Sequence, residues 1–463
     1  MISAEPEARS ATPPREVTDV YGRHYRVGES DRDLTGRSRA WMLWLPGVTM
    51  AAVSVLQYGY GLLAPTLRVA HGWSLVDVMW VFAVWVVFQA GVAFPTARLR
   101  QRRRIAPGAV VVTGGLLCLA GLVTLAHAGD LVVALVGFSV LGGTGAGLVY
   151  ATAVTTVSAW FPECRSPRIG AVTGAFAYGA VPFILLFAFG LDVGNSTLVL
   201  DVTGAVVGGV VVVCGLLFRD PPRDWWPAHV DPQQWAIDKR LNKSLPHNVP
   251  AVRQYTPAEA LRSRTLPLMY LILVSMAAVS LLGIAYLASF TIDEGFGSGV
   301  VALAVAGLAV VNGAGRTVAA RLSDRFGRRG TLTAVLAVEG LAQFGLVASG
   351  QAGQAGWLVV FALLAGLGGG AFYPLVGSLV LDYFGERSAF VNYAVVYSAK
   401  ALGGVLGVGA AAFAVTGSGY VPVFVTAGCV ALASAGMTRL LHQPGHPTLP
   451  APPAARGSRV AHG

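Results

Sequence analysis

Twelve apolar stretches of about twenty residues constrain the fold of this chain most strongly, because a run of that length crosses a bilayer as one helix. The 463 residues are 54% hydrophobic and only 12% charged, which is too apolar for a soluble protein of this size. We therefore predict an all-α membrane protein with twelve transmembrane helices. These helices, called spans 1 to 12, are expected at about 41–64, 76–97, 107–127, 131–155, 168–190, 198–218, 267–291, 298–320, 331–350, 356–381, 389–414 and 420–441.

The positive charge is distributed in a way that favours a membrane protein over a nucleic-acid-binding one. The formal net charge is +10, but the basic residues occupy alternate loops, as in Arg98–Arg104, Arg219–Arg264 and Arg321–Arg329. Cytoplasmic loops of membrane proteins carry this excess of arginine and lysine. We therefore expect a multi-pass protein of the plasma (inner) membrane, surrounded by lipid, with both termini in the cytoplasm and no nucleic-acid partner.

The chain contains an internal repeat with an offset of 223 residues. The best matches are Ala97-Arg98-Leu99 with Ala320-Arg321-Leu322, Tyr150 with Tyr373, and Glu163 with Glu386. A parallel six-plus-six repeat indicates two bundles around a site near the membrane midplane, with alternating access. We expect six-helix bundles at 41–218 and 267–441, a cytoplasmic linker at 219–266, and disordered cytoplasmic tails at 1–40 and 442–463, which are poor in apolar residues.

Two cations inside predicted spans are the candidate binding residues. Lys400 lies near the middle of span 11, where a lysine costs roughly 2.5 to 3.5 kcal/mol and usually faces a cavity. Arg316 lies in span 8. Their repeat counterparts, Tyr178 and Ala93, are uncharged, so the fold alone does not require either cation. Each cation also has a structural alternative: Lys400 could extend toward a headgroup or pair with a buried carboxylate, and Arg316 could anchor the cytoplasmic end of its helix.

The segment from Arg321 to Arg329 resembles the loop signature of the major facilitator superfamily. Gly327 allows a tight turn there, and Asp324 can accept hydrogen bonds from nearby arginines. We expect this group to act on conformation and not on substrate, through Arg321, Asp324, Arg325, Gly327 and Arg328. The matching loop after span 2 lacks both the aspartate and the glycine.

A narrower resemblance, covering about residues 41–441, is to the oxalate/formate antiporter family. Four segments carry it: Asn312-Gly-x-Gly-Arg316, Tyr255-Thr-Pro-x-Glu259, Trp160-Phe-Pro, and Asn392-Tyr-x-x-x-Tyr-Ser-Ala-Lys400. The resemblance implies that Arg316 and Lys400 bind the carboxylates of a small anion. It also implies a cage formed by Gln57, Tyr58, Gln89, Tyr150, Tyr178, Tyr373 and Tyr397.

The function expected from these features is exchange of small organic anions, such as oxalate and formate, by a protein that works as a monomer. Asn312, four residues before Arg316, stands where proton-coupled monocarboxylate carriers have an aspartate, which favours exchange over proton symport. A proton-coupled monocarboxylate carrier or other carrier of the same superfamily remains an alternative, with Glu339 in span 9 as a candidate proton-binding group. A non-transporting membrane sensor is a second alternative to anion exchange.

No enzymatic function is predicted. The glycine-rich segments lie within apolar spans and do not end in Gly-Lys-Ser/Thr, so they do not form a phosphate-binding loop. The sequence contains no nucleophile with a matching base and no metal-ligand spacing. We therefore expect neither a cofactor nor a metal.

Overall fold

The computed structural model describes residues 14–102 and 105–445. Within them, eleven continuous helices and one pair bent by 45° are long and apolar enough to cross a membrane. Counting the bent pair as span 1, the twelve spans are Trp41–Tyr58 with Tyr60–His71, Leu75–Arg100, Pro107–Ala126, Leu131–Trp160, Pro162–Gly190, Ser196–Leu216, Thr265–Asp293, Ser298–Phe326, Arg328–Gln351, Ala355–Phe384, Ala389–Ser418 and Tyr420–Leu440. The predicted all-α membrane fold is confirmed.

Glycines bring helices of the two bundles into backbone contact. A Cβ atom added at Gly174 of span 5 would clash with the carbonyl oxygen of Gly313 in span 8, and the reverse also holds. At a second contact between the bundles, Gly404 of span 11 packs against Val86 of span 2. Without a hydrophobic driving force in lipid, such close approach through small residues is a main source of helix association. The bundles therefore meet through two pairs of helices, spans 5 and 8 and spans 2 and 11.

Both ends of the described chain and the linker lie on one face of the molecule, which we call the terminal face. Here strand β1 (Arg15–Thr18) pairs antiparallel with β2 (His24–Val27), and β2 pairs parallel with β3 of the linker (Trp225–Trp226). We call residues 15–27 the N-terminal hairpin. On the C-terminal side, the carbonyl of His442 accepts a hydrogen bond from Thr265 at the start of span 7 (2.7 Å).

The N-terminal hairpin differs from the expected disordered tail over residues 1–40. Its strands are held by backbone pairing and by an aromatic contact between Tyr25 and Trp226, whose ring centroids are 4.7 Å apart. The partner strand comes from the linker, some 200 residues later, so local composition does not reveal it. Residues 1–13 and 446–463 of the expected tails lie outside the described residues.

The linker contacts both bundles. Its helix Pro257–Arg262 begins with a capping box formed by Thr256 and Glu259. A second helix of the same length, Pro232–Ile237, follows β3. Asn248 donates to the carbonyl of Ser323 and accepts from the backbone amide of Arg328, both at 3.0 Å. The second half of the linker is therefore attached to the C-terminal bundle through Asn248.

The predicted conformational group is centred on Arg328. Its guanidinium pairs with Asp324 and, at 3.1 Å, with Asp382 of span 10. Gly327 adopts a φ of 89°, a left-handed conformation that favours glycine. Arg321 and Arg325 lie exposed. Arg328, Asp324 and Gly327 therefore form one cluster with the end of span 10, whereas Arg321 and Arg325 lie outside it.

The N-terminal bundle forms an ion pair that its loop sequence does not indicate. Arg100, buried at the end of span 2, donates to both carboxylate oxygens of Asp220, each at 2.7 Å. It also donates to the carbonyl of Thr152 (2.8 Å) and to two threonine hydroxyls of span 4. The aspartate missing from the loop is therefore replaced by one from the beginning of the linker.

Candidate functional site

Arg316 lies between the two bundles and is 2% exposed. One terminal nitrogen donates to the carbonyl of Thr173 in span 5 (2.9 Å), and the other donates to the Tyr58 hydroxyl and to Asn312 Oδ1, both at 3.0 Å. The Tyr58 hydroxyl in turn donates to Asn312 Oδ1 (2.9 Å). The guanidinium of Arg316 lies 5.3 Å from the centre of the Tyr373 ring. Arg316 is therefore fixed in the molecular interior and does not act as a surface anchor.

Lys400 on span 11, like Arg316, lies between the two bundles and is 2% exposed. Its ammonium donates to Gln57 Oε1 of span 1 (2.7 Å) and to Gln89 Oε1 of span 2 (2.8 Å). The same nitrogen lies 5.8 Å from the ring centres of Phe176 and Tyr397. A lysine held by two buried amides does not extend toward a lipid headgroup.

Aromatic rings connect the two cations. Tyr373, beside Arg316, lies 6.0 Å from Tyr397, beside Lys400. Tyr150 stacks on Tyr397 at 5.2 Å and meets the edge of Phe176 at 5.4 Å. We call these four rings, together with Tyr58, the aromatic cage. The face of each ring carries partial negative charge, which favours a neighbouring cation without neutralising it.

Within the part of the chain that the structure describes, neither Arg316 nor Lys400 forms an ion pair with a carboxylate. Their acceptors are neutral amides, a hydroxyl and a backbone carbonyl, and Arg316 Nε has no hydrogen-bond partner among those residues. A buried charge normally requires a partner of opposite charge. The site therefore has the charge and the free donor needed to bind an anion.

The hydrogen bonds of both cations cross between the bundles. Arg316 and Lys400 belong to the C-terminal bundle, whereas most of their acceptors, namely Thr173, Tyr58, Gln57 and Gln89, belong to the N-terminal bundle. The N–H groups of these two cations are therefore also contacts that hold the bundles together.

Tyr178 is not part of this cluster. It is 41% exposed, and its hydroxyl donates to the carbonyl of Ala171 on its own helix (3.2 Å). Phe176, two positions earlier, faces the cage instead, because residues two apart on a helix point in nearly opposite directions. Phe176 lies one helical turn after Thr173, whose carbonyl binds Arg316. The spacing between Thr173 and Phe176 was the sequence signal that could have indicated Phe176. The repeat alignment pointed to Tyr178 instead.

The remaining predicted residues lie in the site: Gln57, Tyr58, Gln89, Tyr150, Asn312, Arg316, Tyr373, Tyr397 and Lys400. Gln89 has a second role, since its amide nitrogen donates to the Tyr397 hydroxyl (3.2 Å). The glutamine therefore fixes the ring that packs beside Lys400.

Glu339 is buried behind span 10 and is 1% exposed. One carboxyl oxygen accepts from Gln343 Nε2 (2.9 Å), and the other has no hydrogen-bond partner among the described residues. It packs against Gly368 and Gly369, next to the glycine that contacts Asn312. Glu339 is thus separated from the arginine only by span 10 and does not itself belong to the cage.

Two bundles of membrane helices around a buried polar site define a multi-pass membrane transporter. The chain belongs to the Major Facilitator Superfamily, whose model matches residues 47–310 and 268–461. Solved structures show the same fold: the Escherichia coli fucose:proton symporter FucP aligns with a TM-score of 0.60 and 16% identity, over 87% of this chain and 98% of that one.

Two curated relatives are transporters of carboxylic acids by name. The oxalate:formate antiporter of Oxalobacter formigenes is 26% identical over 89% of this chain and 93% of its own length. Human monocarboxylate transporter 11 is 28% identical over 79% of this chain and 75% of its own length. The superfamily itself is established by the family model, and the solved structures agree with its fold.

Replacing Lys400 by methionine should stabilise the protein in the absence of substrate, because an unpaired buried cation opposes folding. We expect the K400M variant to unfold several degrees above the parent protein in detergent, measured by intrinsic fluorescence. Lys243→Met, which removes a linker lysine outside the site, serves as the control and should change the unfolding temperature little. A lower unfolding temperature for K400M would show that Lys400 is a structural residue.

Proposed function

We propose that this transporter exchanges small organic anions, with oxalate and formate as the first candidates, by alternating access. The observation that carries the proposal is the pair of buried cations, Arg316 and Lys400, whose hydrogen-bond partners among the described residues are all neutral. A dicarboxylate would neutralise both cations. The named activity of the Oxalobacter formigenes relative supports the same class of substrate.

The two cations suit the two ends of a dicarboxylate. A guanidinium binds a carboxylate through two parallel N–H donors, and Nε of Arg316 is available for this. The ammonium of Lys400 acts as a point charge toward the second carboxylate. The rings of the aromatic cage then pack against the carbon skeleton and limit its size.

Obligatory exchange follows from the hydrogen bonds between the bundles. Without an anion, Arg316 and Lys400 bind acceptors of the N-terminal bundle and repel one another. A bound anion replaces those acceptors and separates the two charges. The bundles can then rock past each other with the anion bound, whereas the empty protein resists the movement.

We place the protein in the plasma membrane with both termini in the cytoplasm, so that the terminal face is the cytoplasmic face. The excess of arginine in the loops on this face supports that orientation. Each chain contains a complete site between its own bundles, which supports function as a monomer.

A second candidate is proton-coupled transport of a monocarboxylate. The relationship to monocarboxylate transporter 11 supports it, and Glu339 is a buried carboxyl group that could bind a proton. Asn312, the direct partner of Arg316, carries no proton and favours exchange. The two candidates differ in their response to pH.

A counterflow panel in proteoliposomes tests the proposed substrate class. Vesicles loaded with oxalate, formate, lactate or pyruvate are diluted into each labelled anion in turn. We expect uptake of labelled carboxylate to require a carboxylate inside. Equal uptake into loaded and unloaded vesicles would contradict exchange.

Arg316→Ala and Lys400→Ala should each abolish exchange while the protein still reaches the membrane. Arg316→Lys keeps the charge but loses the two-donor geometry, so we expect a residual rate about tenfold to a hundredfold below the parent rate, as for loss of one hydrogen bond to a charged group. Initial counterflow rates, normalised to reconstituted protein, provide the measurement. Unchanged transport in either alanine variant would exclude that cation from the site.

Phe176→Ala should weaken transport, whereas Tyr178→Ala should leave it close to the parent rate. Phe176 packs beside Lys400 and two tyrosines of the cage, and Tyr178 lies at the surface. The apparent KM for the labelled anion distinguishes them, because loss of a cage wall reduces the fit of the carbon skeleton. The reverse order of effects would place Tyr178 in the site.

Exchange should change little between about pH 6 and 8, because carboxylates with a pKa near 4 stay ionised over that range. Glu339→Gln, which replaces the carboxyl by a neutral amide of the same shape, should then retain exchange. Counterflow rates at the two pH values give the test. Strong activation by external acid that disappears in Glu339→Gln would instead establish proton coupling.

A further inference from the structure

The turn of the N-terminal hairpin holds one arginine in a fixed orientation. Asp19 Oδ1 accepts the backbone amides of Tyr21 and Arg23, both at 2.9 Å. Its other carboxylate oxygen accepts Arg23 Nε at 2.6 Å. Contacts within the turn therefore position the Arg23 guanidinium, independently of its contacts with the bundles.

Arg23 reaches Glu386, which lies in the loop between spans 10 and 11 of the C-terminal bundle. Arg23 Nη1 donates to Glu386 Oε1 at 2.8 Å, and Arg165 Nη1 of span 5 donates to Oε2 at 2.7 Å. Burial opposes the charge of Glu386, but Arg165 and Arg23 together lower its pKa below the ordinary value. One carboxylate thus joins the N-terminal hairpin and both bundles.

The N-terminal hairpin is attached to the N-terminal bundle. Arg39, which follows it in the chain, forms an ion pair with Glu163 at 2.8 Å. Trp225, next to β2, donates to the carbonyl of Glu29 and packs edge-on against Trp160 at the end of span 4. The hairpin therefore moves with this bundle, and its contact with Glu386 crosses to the other one.

Arg165 and Glu386, which Arg23 helps to hold, form the outer end of a cavity that reaches the proposed binding site. The cavity, of about 90 Å³, is lined at one end by Tyr373 of the aromatic cage and at the other by Arg165 and Glu386. Ser166 and Ser378, also in its wall, hydrogen-bond across the bundles at 2.9 Å. A substrate that left the cage toward the terminal face would pass this point.

We propose that the N-terminal hairpin is a strap that holds the terminal face closed, and that this face opens only when Glu386 leaves both Arg23 and Arg165. The hairpin thereby sets how often the binding site is reached from this side. The inference rests on the alternating-access part of the proposed function and does not depend on which anion is carried.

Accessibility of the cavity tests the strap. Ser158, which is 2% exposed and lines the same cavity, is replaced by cysteine in a full-length protein whose four native cysteines are changed to serine. A membrane-impermeant maleimide is applied from the terminal face of inside-out vesicles, with no carboxylate present. We expect Arg23→Ala to increase the labelling rate about fivefold, as for loss of a partly buried ion pair.

Arg26→Ala is the matched control. Arg26 lies on the same hairpin and carries the same charge, but its ion pair is with Glu29, within the N-terminal segment (2.9 Å). We expect it to label at the parent rate, Arg23→Lys to label close to the parent rate, and Glu386→Gln to label at least as fast as Arg23→Ala. Glu386→Gln also keeps the test decisive if Arg23→Ala proves unstable.

Equal labelling rates for Arg23→Ala and Arg26→Ala, with Glu386→Gln also unchanged, would overturn the proposal. Because labelling needs no substrate, this result is separate from the outcome of the counterflow panel. Faster labelling in a protein that carries no carboxylate would support the strap and refute the proposed substrate class. Carboxylate exchange together with unchanged labelling would refute the strap and support the proposed substrate class.

Discussion

The structure depends on two buried cations that have no partner of opposite charge within residues 14–102 and 105–445. Gln57 and Gln89 hold Lys400, and Asn312, Tyr58 and the carbonyl of Thr173 hold Arg316. Neutral acceptors satisfy N–H donors, yet they do not cancel positive charge in a low-dielectric interior. Aromatic faces add a further weak attraction. The arrangement is unfavourable for the protein alone and becomes favourable when an anion supplies the missing charge.

The position of these cations relates binding to movement. Both belong to the C-terminal bundle and bond mainly to the N-terminal bundle, so in the proposed mechanism the same N–H groups serve as substrate ligands and as contacts between the bundles. At the terminal face, Glu386 binds Arg165 and Arg23 in a second set of contacts between the bundles. A substrate bound as proposed would act directly on the first set only. In this proposal, release of the second set follows from movement of the bundles, and the strength of the second set governs access.

Much of this architecture was predictable from the sequence. Apolar length gave the spans, the repeat gave two bundles, and the high cost of a charge in the membrane identified Lys400 and Arg316. The errors concern features that depend on three-dimensional contacts. The repeat placed Tyr178 opposite Lys400, although helix rotation turns Phe176 inward. The N-terminal hairpin needs a strand from the distant linker, and Arg100 takes its carboxylate from Asp220. No local pattern contains such long-range partners.

Ligand-dependent stability of the purified protein tests the two-cation account most directly. The unfolding temperature is measured in detergent with increasing oxalate, formate or chloride at constant ionic strength. The account predicts a clear, saturable increase with oxalate, a smaller one with formate, and none with chloride, because one dicarboxylate neutralises both Arg316 and Lys400. The increase with oxalate should vanish in K400M. A monocarboxylate that stabilises the protein as strongly as any dicarboxylate, with K400M responding equally, would contradict it.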